Sequence, residues 1–509
     1  PRPVVLKANG DLRGTCPKRA TIRRYDITAV LANKALARPA GVSIVPADGT
    51  AALTAGAPLD PNGGTLVYNP RDTQIPARTI LVEDPLLGEV PQQIAAKQGP
   101  LHDPTAVLYL RTADLDAAGR LKPGVPVEPL VMRAAAGECV EVTLRNRLPA
   151  AMPDLPGYAQ TVAAVVRDRH SAEGTTYFQL NLAQTSSHVG MHTQLLEYDV
   201  SSSDGTNVGI NPVQTVAPGQ SRMYQWYAGD LRQIPTARAQ LDPDRDETQL
   251  QATPVEFGGV NIIPADKIKQ GQKGMVGALV VLPPKSTWVE DADRRSSATV
   301  RAGTKTFRDH ALVHQKGMNF RYRDGTAVGK TQLSDDPQDI GQFGVNYRSE
   351  PMWFRFGMHP ESSLGHDGFG GVATAWQGFS NTCCAASGPA AGSVVNADPV
   401  TPVLTSVRGA ENRMRLLMPH GLARGSVWSL HGHLWQQDPY LSGTVASQSI
   451  GNNPLGIWRG QQDGILPYAS YNVVLPKAGG DAAIPGDYLM RDYAPNGTLS
   501  GMWGIFRVQ

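Results

Sequence analysis

The sequence predicts an all-β protein of sandwich or barrel type, and three observations carry that prediction. Gly and Pro number 53 and 40 in 509 residues while only 18% of residues are charged, a composition of short strands and turns rather than long helices. Apolar and polar residues alternate with period two in run after run. Two Gly-rich apolar segments, 274–281 and 501–508, repeat one pattern, Gly-apolar-x-Gly-apolar-apolar.

Taken in order, the clearest strand is 138–146. Gly137 opens it, Val140, Val142 and Leu144 fall on one face, and Glu141, Thr143 and Arg145 on the other. Strands follow at 223–227 and 277–282. Residues 283–297, with Pro, Lys, Ser and acidic groups, read as a run linking two domains. Beyond it, 311–314, 413–416, 471–475 and 502–508 read as strands. Helical periodicity is confined to short turns at 95–98 and 265–270. Three stretches carry no strand signal, 39–64, 233–254 and 380–397, and read as loop insertions. The expected organisation is an N-terminal domain over 1–285 with insertions 39–64 and 233–254, the linker 286–297, and a C-terminal domain over 298–509 with insertion 380–397. A length of 509 residues suits two to four domains at roughly 150 residues each.

A formal net charge of +2 argues against a nucleic-acid partner, which requires a basic face. No apolar run approaches the roughly 18 residues of a membrane span. The four cysteines, Cys16, Cys139, Cys383 and Cys384, form no CxxC, so thiolate zinc and c-type haem are not expected. Buried thiols and three full pairings all remain open. Sparing use of Lys, small-residue loops and a start at Pro1 point to an exported chain, periplasmic, cell-surface or extracellular. Residues 325–331 (GTAVGKT) fall one residue short of a P-loop. Asp242, Asp244 and Asp246 mimic the start of an EF-hand loop, but Gly is missing at its sixth place and Thr253 holds its twelfth.

Eight segments resemble the cupredoxin domains of the multicopper oxidase superfamily. In the first half they are PLVMRAAAGECVEVTLRN (129–146), HTQLLEYDVSSSDG (192–205), APGQSRMYQWYAGD (217–230) and GMVGALVVLP (274–283). In the second they are GVNYRSEP (344–351), RGAENRMRLLMPHG (408–421), SVWSLHGHLW (426–435) and GDYLMRDYAPNGTLSGMWGIFRV (486–508). The resemblance implies two cupredoxin-like Greek-key β-sandwich or barrel domains. It also implies a type 1 copper held by two His and one Cys, and a copper cluster held by four His-x-His pairs.

The ligand positions depart from that pattern. Tyr488-Leu489-Met490 stands where the family has His-Cys-His, and neither residue type follows His433. The family's first His-x-His resembles His192-Thr193-Gln194. Its His-rich run resembles residues 426–433, with Ser426 and Ser429 at two ligand places and His431 at a third. Two carried-over ligand positions survive from about ten, His192 and His431. His188 shares a short segment with His192. His433 matches a family His that is generally not a ligand, yet His431 and His433 would share one face of a strand and could clasp a metal. His310 and His314, four apart on a strand, stand too far from each other to share one ion.

Two functional readings follow. One is an exported structural or binding protein without the type 1 site, self-associating or engaging another exported protein, and requiring no cofactor. The other is a multicopper-oxidase-type oxidoreductase with a reduced or intersubunit copper site. Copper is the one cofactor the resemblance leaves open.

Overall fold

Period-two alternation becomes eight strands in the first half of a computed structural model that describes residues 4–6, 11–46, 58–84, 88–155, 184–242, 244, 247–329, 341–360, 375–383, 395–421, 425–440, 447–494 and 497–509. These strands are β1 (Ile22–Leu31), β2 (Val107–Arg111), β3 (Leu130–Ala135), β4 (Cys139–Asn146), β5 (Met191–Thr193), β6 (Ser221–Tyr227), β7 (Gly258–Pro264) and β8 (Gly277–Leu282). They form two sheets, in the orders β2-β1-β4-β6 and β3-β8-β7-β5. In β4 the alternation of the sequence reappears as burial: Val140, Val142 and Leu144 are buried and Arg145 is exposed.

The second half repeats this plan. Its strands are β9 (Thr287–Glu290), β10 (Ser297–Ala302), β11 (Lys305–Lys316), β12 (Val403–Ser406), β13 (Asn412–Leu417), β14 (Ser426–Leu430), β15 (Gln461–Ile465), β16 (Ser470–Leu475), β17 (Gly486–Asp492) and β18 (Trp503–Val508). The sheet orders are β9-β10-β11-β13-β16 and β12-β18-β17-β14-β15, with Phe343–Val345 pairing beside β11. Each half has the same two parallel pairings among antiparallel ones, β1 with β4 and β3 with β8, then β11 with β13 and β12 with β18. The fold is all-β.

Three apolar layers hold the four sheets together. Ile27, Val140, Val142, Trp226, Val260 and Leu279 fill the first sandwich. Leu312, Met414, Leu416, Trp428, Val473 and Phe506 fill the second. Between them runs a seam in which Ala278, Val280 and Leu282 of β8 meet Ala311 and Val313 of β11 and Leu417 of β13. Strand β8 is therefore buried on both faces, which accounts for its unbroken apolar run.

The seam also buries charge. Arg415 Nε donates to Asp309 Oδ2 (2.8 Å), and Arg413 Nη1 donates to Glu256 Oε1 (2.5 Å). Burial pushes the Glu256 carboxyl up, against the pull of the Arg413 and Arg415 guanidinium groups.

Several sequence expectations need correction. Segment 233–254, read as a loop, carries strands Gly229–Pro235 and Thr248–Pro254, which pair with each other and with Val4–Leu6. Its period-two signal is weak because most of these residues stay partly exposed on both faces. Residues 95–98 do not form a helical turn; Lys97–Gln98 pairs with Gln74–Ile75. Strand β9 lies inside the segment 286–297. Of the three open cysteine pairings, one link is now fixed: Cys16 is bonded to Cys139 across 123 residues. Cys383 is disulfide-bonded as well. Cys384, most of 380–397, Asp246, His170, His366 and the end of the GTAVGKT segment lie outside the described residues.

Candidate functional site

The repeated strand plan lets each candidate ligand be placed against its counterpart in the other half. On β5, Thr193 lies opposite Ile262 and His192 opposite Ile263; Ile262 in turn faces Gly277 of β8. On β14, Leu430 lies opposite Met490 and Ser429 opposite Arg491; Met490 faces Gly504 of β18. Gly277 and Gly504 are the matching glycines of the repeated Gly-apolar-x-Gly pattern. Ser429 is thus the counterpart of His192, and His431, one residue past Leu430, is the counterpart of Gln194.

His192 is half-buried. Its Nδ1–H donates to the carbonyl of Asp204 (3.0 Å), with Asp204 Oδ2 at 3.5 Å, and its ring stands edge-on to Tyr198. A ligand role would fall to Nε2. His188 is exposed, with Nδ1 3.5 Å from Thr215 Oγ1.

His431 and His433 do not share a strand face. Strand β14 ends at Leu430, and Gly432 turns the chain with φ of 66°. His431 is left exposed, its Nε2 3.3 Å from Tyr493 Oη. His433 is turned inward against Tyr488 and Phe506. Its Nε2 accepts from Gly479 N–H (3.0 Å), which fixes the tautomer so that Nδ1–H donates to the His431 carbonyl (2.9 Å). Both ring nitrogens of His433 are spent on the fold, and burial holds its pKa down.

A second constellation, invisible in the sequence, gathers beside Asp492. A cavity of about 20 Å³, room for one water, is lined by His314 of β11, Trp428 of β14, Met490 and Asp492 of β17, and Met502. His314 Nδ1 has no hydrogen-bond partner, and burial, with the Lys316 cation second, pushes its pKa down to about 3. Asp492 Oδ1 accepts from Val427 N–H (2.7 Å) and Ala494 N–H (2.9 Å), and Lys316 Nζ lies 3.7 Å from Oδ2. Burial raises the Asp492 pKa. No local pattern announces this group, because His314 and Asp492 come from strands of opposite sheets.

Among the described residues no group of three or more His, Cys, Asp or Glu is placed to hold a metal ion. Lys316 presents a cation beside the Asp492 carboxylate, and among the described residues no cysteine lines that cavity to supply the soft donor of a blue site.

No family model and no curated protein matches the chain. The solved structures to which it is similar include a multicopper oxidase crystal structure (12% identity, TM-score 0.39, covering 100% of this chain and 93% of that one). They also include the multicopper oxidase mgLAC (11%, TM-score 0.41, 96% and 87%). A third is a copper nitrite reductase from Nitrosomonas europaea (12%, TM-score 0.36, 96% and 94%). The all-β architecture itself rests on the strands and sheets described above.

Proposed function

We propose that the chain is a cupredoxin-type scaffold without a type 1 copper site, exported, and serving as a structural or binding protein that self-associates or engages another exported protein. One observation carries this reading: each half keeps a different single member of the His-x-His pattern. His192-Thr193-Gln194 lies where the other half has Ser429-Leu430-His431, so neither half offers a pair at this position. Asp492, tied to two backbone N–H groups and near Lys316, is a structural carboxylate. The Cys16–Cys139 disulfide supports passage through an oxidising compartment. No described helix is long and apolar enough to cross a membrane.

Copper analysis of the purified chain after loading and dialysis tests the proposal. The expected outcome is no stoichiometric copper and no intense blue absorption. Particle images should show a regular assembly, whereas a monomer at every concentration would count against self-association.

A second reading rests on the exposure of His431 and His188. An oxidoreductase with copper shared between subunits would present half-sites in this way. Stoichiometric copper that is lost in His431→Ala would replace the first reading with this one.

A further inference from the structure

A group of buried polar side chains in the first half takes no part in anything above. Lys273 sits in the turn before β8, where its carbonyl accepts from Val107 N–H (2.9 Å) and fixes its backbone. The ammonium is 2% exposed; Asp103 is fully buried, Thr105 1% exposed and Asp154 6% exposed. Lys273 Nζ donates to Thr105 Oγ1 (2.7 Å) and lies 3.2 Å from Asp154 Oδ1 and 3.9 Å from Asp103 Oδ2. The Thr105 hydroxyl in turn donates to Asp103 Oδ1 (2.7 Å), which also accepts Thr105 N–H (2.8 Å). Asp103 Oδ2 accepts no hydrogen bond.

As an ion cluster this arrangement is incomplete. Dehydrated charges are stable only when their hydrogen bonds are filled, and here an oxygen of the fully buried Asp103 is orphaned, while Asp154 lies within the fields of both Lys273 and Lys269. As a reacting group it is complete. An amine and a carboxyl are held in contact away from water, and a hydroxyl links the amine to a second carboxylate.

We infer that Lys273 and Asp154 are joined by an isopeptide bond, with Asp103 carrying the proton through Thr105. Thr105 Oγ1 takes a proton from Nζ as it gives its own to Asp103 Oδ1. The neutral amine attacks Asp154 Cγ, a C–N bond forms, and one C–O bond breaks. Of the three hydrogens of the ammonium, one stays on the amide nitrogen and two leave with the carboxyl oxygen as water. Asp103 ends as it began, and no oxidant or other reactant is consumed. Fixed proximity supplies the driving geometry, since an intramolecular pair in contact reacts at very high effective concentration. Lys269, buried nearby and with its pKa pushed down to about 8 by burial and then by Lys273, is the competing amine.

Mass spectrometry of the reduced, denatured full chain tests this without reference to copper. The chain should be lighter than its sequence by one water, and trypsin should leave Lys273 uncut and release a branched peptide joining it to Asp154. Lys273→Arg and Asp103→Asn should restore the full mass, and Lys269→Arg should change nothing. A wild-type chain at full sequence mass with Lys273 cleaved, or a branch on Lys269, would overturn the inference. That measurement stands even if a variant fails to fold.

Discussion

The outer faces of the two sandwiches meet different surroundings on one strand plan. In the first half the outward side of β4 meets solvent, and its Arg145 pairs with Asp26 at 45% side-chain exposure each. In the second half the outward side of β13 carries Arg413 and Arg415, buried at 2% and 0% because the first half lies on them. Alternation of period two therefore fixes which residues share a face but says nothing of what covers it. The candidate site repeats the lesson. Residues 192–193 and 429–430 occupy equivalent ladder positions, and with the residue after each run the two segments carry their single imidazole at opposite ends.

Four perturbations would break or sharpen this comparison. The largest effect is expected at the first sandwich's tether. Paired Cys16→Ser and Cys139→Ser removes a link closing 123 residues. Loop-closure entropy then predicts a loss of about 4–5 kcal/mol in urea unfolding. A loss under about 1 kcal/mol would show that the seam, and not the tether, holds that half.

Next comes the seam. Asp309→Ala leaves Arg415 buried without its closest carboxylate, at a cost of about 3–5 kcal/mol. A small effect would mean that the outer face of β13 is less enclosed than described.

Acid should then separate the halves. Burial pushes His310 and His420 down to about 4 and His314 to about 3, all in the second half. His102, also pushed down to about 4, is the first half's counterpart. Their folded pKa values lie below the unfolded value of about 6.5, so the stability from keeping them neutral is full above that pH. It is lost as pH falls towards about 4. Amide exchange should show the second sandwich opening first, and simultaneous opening would reveal tight coupling across the seam. The smallest effect belongs to Arg145→Ala, about 0.2–1 kcal/mol and weaker in salt.

Much of the framework was legible in the sequence. The edges of β4 and β8 were readable because one face, or both, is apolar without interruption, and the repeated glycines marked β8 and β18 as equivalent. The hairpin in 229–254 was missed because its residues alternate weakly in polarity. The imidazole pair at 431 and 433 was misplaced because a single positive-φ glycine ended the strand early. The buried groups around Asp492 and Lys273 were unreadable for a different reason. Each is assembled from segments far apart in the chain, and one His, one Lys or one Asp in a local window carries no signal of its partners.

The parallel pairings have a consequence for synthesis. Strand β18 does not lie at the edge of its sheet but between β12 and β17. A growing chain that has reached Asp492 holds two strand edges apart, each with unpaired backbone groups, until residues 503–508 emerge to fill the gap. Closure of the second sandwich is thus deferred to its last strand, so the unfinished chain is at its most adhesive just before that strand arrives.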